Sequence, residues 1–134
     1  MKIISLYSGA DNIGDGCYQA GHKVIIAVEY NPEKPSLGRD ACETIKLNHP
    51  DCEVINKPVS EVLSTLPQCD AVVGGPPCPE FSRGNIDRTF DLCEVNNFRK
   101  AVKITKARHY FMENVQDLYQ VHKERNYDYT SNEM

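Results

Sequence analysis

The sequence has no run of about 18 apolar residues, so no transmembrane helix and no membrane partner are expected. Nothing at its start reads as a secretory leader. Met1 to Tyr7 is too short and passes straight into a strand pattern. Its six cysteines, at 17, 42, 52, 69, 78 and 93, include no CxxC pair, which leaves a zinc site without support. The chain is not cysteine-dense either. The thiols are therefore expected to be reduced, mostly buried as small apolar side chains, in an intracellular protein of the cytoplasm or the nucleoid or nucleus. An excess of basic charge is also missing. The net charge is −4 and the pI about 5.5, the wrong sign for holding nucleic acid by general electrostatics. There are no internal repeats, and 134 residues fit one small domain.

The charge that is present is uneven. Residues 1–82 carry a balance of −5 and residues 83–134 a balance of +1. Arg99, Lys100, Lys103, Lys106 and Arg108 form a run without an acid. That run suits either phosphate contact or an ordinary solvated helix face.

Apolar runs and turn formers alternate in a regular way. Lys2-Ile-Ile-Ser-Leu-Tyr7 predicts a strand, and Ser8 to Asn12 a turn. Ile13, Cys17 and Ala20 recur at helical spacing, closed by Gly21. Val24 to Val28 predicts a second strand, ending at Glu29. A loop over residues 31–38 leads to a helix expected from Arg39 or Asp40 through Asn48, with Ala41, Ile45 and Leu47 towards the sheet. His49-Pro50 ends it. Cys52 to Ile55 reads as a strand, and Val59, Val62, Leu63 and Leu66 as a helix stopped by Pro67. Asp70 to Gly74 is a fourth strand. Phe90 to Ala107 is a long amphipathic helix, with Val95, Phe98 and Val102 on one side. Tyr110 to Met112 is a fifth strand, followed by a helical turn or two over residues 116–122 and a polar tail.

This order is β-α-β-α-β-α-β-α-β, which implies a parallel sheet with right-handed crossovers. The C-terminal strand ends of such a sheet lie side by side. Residues 8–12, Glu29, Cys78 and Glu113 all fall there. The first βαβ unit, ending in an acid, is the pattern of a nucleotide site, because a carboxylate accepts two hydrogen bonds from a ribose diol. Its glycines are Gly9, Gly14 and Gly16 rather than GxGxxG, which favours an adenosine ligand without phosphates over a dinucleotide. The fourth strand runs into Gly74-Gly-Pro-Pro-Cys78, a thiol on a stiff turn. A thiolate beside a carboxylic acid suits covalent attack on an electron-poor ring. Packed cysteine, helix cap and local ion pair are the plainer roles for Cys78, Glu113 and Glu29.

These residues resemble the cytosine-C5 DNA methyltransferase family. Gly-Gly-Pro-Pro-Cys-x-x-Phe-Ser at 74–82 is similar to its catalytic motif, and Phe-Met-Glu-Asn-Val at 111–115 to its Glu-Asn-Val motif. Leu6 to Gly9, with Gly16, Ala20 and Gly21, resembles its first cofactor motif, and Glu29-Tyr30 its second. Asn48-His49-Pro50 and Asp87-Arg88 also fall in order. The resemblance implies an α/β, Rossmann-like fold dependent on S-adenosylmethionine, with a parallel sheet of about five strands that lacks the last strands. Residues 1–122 are then the catalytic domain and 123–134 the tail. Cys78 is implied as nucleophile towards a flipped-out cytosine in DNA, and Glu113 as the acid at ring nitrogen 3. Tyr7, Gly9 and Ala10 are implied around the methionine end of the cofactor. Glu29 falls at the ribose, Tyr30 at adenine, and Pro77 lines the site. Asp11 and Asn12 stand where the family usually has glycines, and Pro79 where it usually has glutamine.

No Gln-x-Arg-x-Arg motif or recognition region follows residue 115. The expectation is thus a truncated or split restriction–modification enzyme. Its partners are DNA and a second polypeptide carrying the recognition region, or another copy of itself. Two alternatives remain at this point: a tRNA cytosine-C5 methyltransferase, suggested by Ser82-Arg83, and a catalytically silent cofactor- or partner-binding protein of the same fold.

Overall fold

The computed structural model describes residues 1–77 and 93–115. The expected loop over 82–88, Cys78 itself, the turns over 116–122 and the tail lie outside the described residues. Five strands are present among those described: β1 (Lys2–Leu6), β2 (Lys23–Val28), β3 (Glu53–Ile55), β4 (Ala71–Gly74) and β5 (His109–Met112). They form one parallel sheet in the order β3-β2-β1-β4-β5. Winding starts at β1, runs outward to β3, then returns to the other side of β1 for β4 and β5. The reversal between β1 and β4 is the switch point where an open α/β sheet forms its ligand crevice.

Among the described residues, four helices cover the sheet: α1 (Asn12–Gln19), α2 (Pro35–Asn48), α3 (Val59–Val62) and α4 (Cys93–Thr105). Side chains alternate across each strand, so the sheet feeds two cores. Ile4, Leu6, Ile26, Val28 and Val72 pack with Val59, Val62, Phe98 and Ala101 from α3 and α4. Ile3, Val24, Ala27, Ala71 and Val73 pack with Ile45 of α2 and Cys52 on the opposite face. Among the described residues, Phe98 is the largest fully buried side chain, 2% exposed.

Helix α1 stops as its sequence suggests. Gly21 takes φ 77°, the His22 N–H bonds the Cys17 carbonyl at 2.9 Å, and the Gly21 N–H bonds the Tyr18 carbonyl at 2.9 Å. Helix α2 starts at Pro35, several residues before the expected Arg39 or Asp40. Proline fixes φ near the helical value and lacks only an N–H that the first turn leaves unpaired, so here it opens the helix. The buried stripe of α2 is Gly38, Cys42 and Ile45, while Leu47 is 83% exposed. The third helix is a single turn continued by a 3-10 turn over Leu63–Thr65. Of the described cysteines, Cys42 and Cys52 are buried, Cys17 and Cys69 half-buried and Cys93 exposed, so burial is less general than expected; burial pushes the Cys52 thiol up to about 11.

Gly74 fixes how closely β1 and β4 approach. A methyl group built on it overlaps the carbonyl oxygen of Leu6, an atom of the neighbouring strand's backbone. No side-chain rotation relieves such an overlap. Among the described residues, no helix is long and apolar enough to cross a membrane.

Candidate active site

The turn after β1 enters the crevice first. Tyr7, Gly9 and Asp11 have φ values of 54°, 54° and 66°, so every second residue is left-handed. The Asp11 N–H closes the turn on the Ser8 carbonyl at 2.7 Å. A side chain at Gly9 would meet nothing within 4 Å, so open space lies beside this backbone. Ala10 is exposed at the tip.

Glu29, at the end of β2, meets this turn. Its Oε2 accepts the Gly9 N–H at 2.8 Å. Its own backbone is held on both sides, the N–H donating to Ile55 at 3.0 Å and the carbonyl accepting from the Asn56 side chain at 2.9 Å. Its second carboxylate oxygen has no hydrogen-bond partner among the described residues. Tyr30 follows and is 41% exposed. An open backbone edge, a fixed carboxylate with a spare oxygen and an exposed aromatic ring fit the ribose and base of an adenosine group.

A second group converges from the other side of the switch point. Glu113, just past β5, donates its N–H to the Gly74 carbonyl at 3.0 Å. A methyl group on Gly75 would stand 3.0 Å from Glu113 Oε2, so the carboxylate lies directly against the bare Gly75 backbone. The Asn114 side chain donates to the Pro76 carbonyl at 3.1 Å and ties the two turns together. Pro76 is buried and Pro77 exposed, at the point where the described chain stops before Cys78. Glu113 therefore stands beside the turn that leads into Cys78. The distance to that thiol falls outside the described residues.

Sequence reasoning missed four partners here. Gly75 makes room for Glu113. Asn114 holds the proline turn through the Pro76 carbonyl. The Tyr7 hydroxyl donates to Glu94 on α4, with Oε2 at 2.7 Å and the main-chain oxygen at 3.0 Å. Ser5 donates to Asp11 at 2.6 Å inside the core. A serine in an otherwise apolar strand and an aspartate in a glycine-type turn were the only hints. Burial, followed by the Glu94 carboxylate, pushes the Tyr7 hydroxyl far above its ordinary value. It therefore stays protonated and donates.

The last part of the basic run, towards Arg108, lies at the far end of β4 from this site. Lys100, Lys103, Lys106 and Arg108 are exposed, and the Arg108 N–H bonds Asp70 just before β4 begins, at the opposite edge of the sheet. Among the described residues, no group of three or more His, Cys, Asp or Glu is placed to hold a metal ion.

Comparison with known proteins matches residues 1–134 to the family described as C-5 cytosine-specific DNA methylase. The type II methyltransferase M.FnuDI of Fusobacterium nucleatum is 32% identical over 122 residues, covering 88% of this chain and 33% of its own length. M.AquIA of Picosynechococcus is 31% identical over 130 residues, covering 87% of this chain and 49% of its own. The chain thus spans a third to a half of these relatives. A solved E. coli structure, described as a candidate DNA modification methyltransferase encoded within a prophage, superposes with a TM-score of 0.66 at 25% identity. It covers 93% of this chain and 36% of that one. A Thermoplasma acidophilum structure shares the fold at a TM-score of 0.55 and 18% identity.

Proposed function

The chain belongs to the C-5 cytosine-specific DNA methylase family, and from that membership we propose that it carries the cofactor site and reacting groups for methyl transfer to carbon 5 of cytosine in DNA. One observation supports this reading above the others. The two halves of the crevice, Gly9 with Glu29 and Gly75 with Glu113, converge on the β1–β4 switch point.

S-adenosylmethionine, when bound, supplies an electrophilic methyl group. The chain's own residues do the rest. Glu29 receives the ribose hydroxyls on its spare oxygen, Tyr30 flanks the adenine, and Tyr7, Gly9 and Ala10 border the methionine end. Pro77 lines the same crevice. Cys78, as thiolate, adds to ring carbon 6 of a cytosine turned out of its duplex. Glu113 hydrogen-bonds ring nitrogen 3 and offsets the negative charge that addition places on the ring. That addition makes ring carbon 5 nucleophilic. Carbon 5 then takes the methyl group as its bond to the donor sulfur breaks; loss of the carbon 5 proton to a base, then elimination of the thiolate, restores the cysteine.

Titration calorimetry with S-adenosylmethionine tests the first half of this reading. The wild-type chain is expected to bind saturably. Glu29→Ala removes a charged acceptor of two hydroxyls and is expected to weaken binding about 10- to 100-fold. Absence of saturable binding by the wild type would refute the cofactor site.

A further inference from the structure

Within the five residues from Tyr7 to Asp11, three are left-handed, and only the middle one is glycine. Tyrosine and aspartate pay for this conformation with a Cβ clash against their own backbone. Such strain persists only where the surroundings over-determine it. Both strained residues are fastened at their far ends, and on opposite faces of the sheet. Tyr7 packs into the core beneath α3 and α4, and its hydroxyl bonds Glu94. Asp11 points the other way. Its carboxyl is fully buried, takes the Ser5 hydroxyl on one oxygen, and fills the space that any side chain at position 14 would need. Gly14 is glycine for that reason.

Between the two anchors lies Gly9, whose N–H is aimed at Glu29. We propose that Tyr7 and Asp11 are positioning residues that hold the β1–α1 turn in its cofactor-receiving shape, Tyr7 through Glu94 and Asp11 through Ser5. The proposal rests on the reading of this turn as the cofactor site. Releasing either anchor lets φ at that residue relax to the ordinary right-handed side. The Gly9 N–H then swings off Glu29. Relief of strain offsets part of the lost hydrogen bond, so affinity falls further than folded stability does. A purely structural role shows the reverse: lower stability with cofactor affinity unchanged on the folded fraction.

The test is titration of the intact chain with S-adenosylmethionine, paired with urea midpoints of the ligand-free protein. Tyr7→Phe and Asp11→Ala are each expected to raise Kd about 10-fold. Asp11→Asn keeps an acceptor for Ser5 and tolerates the left-handed bend, and is expected to stay within about 3-fold. Glu94→Ala leaves its main-chain oxygen for Tyr7 and is expected to cost less than Tyr7→Phe. The double variant is expected to equal Tyr7→Phe alone, since both remove one interaction. If Asp11→Ala does not fold, the Tyr7–Glu94 cycle decides. Kd within 2-fold of wild type for Tyr7→Phe, or additive losses in the double variant, would overturn the inference. A wild type that does not bind overturns the cofactor reading itself and the inference with it, a result distinct from tight binding by every variant.

Discussion

Gly74 and Gly75 are neighbours in sequence, yet the structure assigns them different work, and alanine at each separates the two. At Gly74 a methyl group overlaps the Leu6 carbonyl oxygen, so β1 and β4 must part or slip. Backbone cannot yield by changing a rotamer. The cost is expected to exceed about 3 kcal/mol, the range of severe overpacking, against a total stability of roughly 5–15 kcal/mol for a domain of this size. At Gly75 the methyl stands 3.0 Å from Glu113 Oε2, tighter than ordinary contact by some tenths of an ångström. A carboxylate at the end of a flexible side chain can retreat that far. The fold is expected to lose less than about 1 kcal/mol, while the displaced acid slows reaction about 10- to 100-fold. Urea unfolding of both variants and their rate of covalent capture on 5-fluorocytosine DNA read these effects apart. Equal loss of stability in the two variants, or a Gly75→Ala protein that reacts at the wild-type rate, would refute the reasoning.

Burial lifts the Asp11 carboxyl above its ordinary 3.8, against the opposing bond from Ser5. The folded state therefore holds this proton more tightly than the unfolded one. The stability it contributes is complete below 3.8 and lost as pH rises through the folded value. Asp11→Asn is expected to gain stability relative to wild type between pH 4 and 8, read as diverging urea midpoints; parallel curves would contradict it. Phe98→Ala, emptying a fully buried site between α4 and the sheet, is expected to cost about 3–5 kcal/mol. Leu47→Ala, on the exposed side of α2, is expected to stay within about 0.5 kcal/mol, and a large loss there would contradict the assigned stripe.

The strands were legible because each is a short apolar run closed by turn formers, and parallel winding then puts their C-terminal ends together. That is how Glu29 and Glu113 could be assigned to one edge of the sheet from spacing alone. Helix α2 ends at Asn48 as expected, but its start and the facing of Leu47 were misjudged for local reasons. Pro35 reads as a breaker in a loop, yet proline is equally at home in a first helical turn. Leu47 is apolar but lies two residues past Ile45, about 200° around the helix, and so faces away from the stripe that starts at Gly38. The Tyr7–Glu94 bond joins residues 87 apart in sequence. No periodicity encodes such a pair, because it depends on α4 crossing the face of β1. Asp11 stood out as an oddity of its turn. Only the packing shows that it looks inward to Ser5 and accounts for Gly14.

The central claim is that this crevice serves cytosine chemistry through Cys78, backed by Glu113. Covalent capture tests it most directly: the chain, S-adenosylmethionine and duplex DNA containing 5-fluorocytosine, followed by mass spectrometry of the adduct. The account predicts an adduct at Cys78 that depends on the cofactor, slows in Glu113→Gln and vanishes in Cys78→Ala. Cofactor that binds while no adduct forms, or an adduct on another residue, would contradict it.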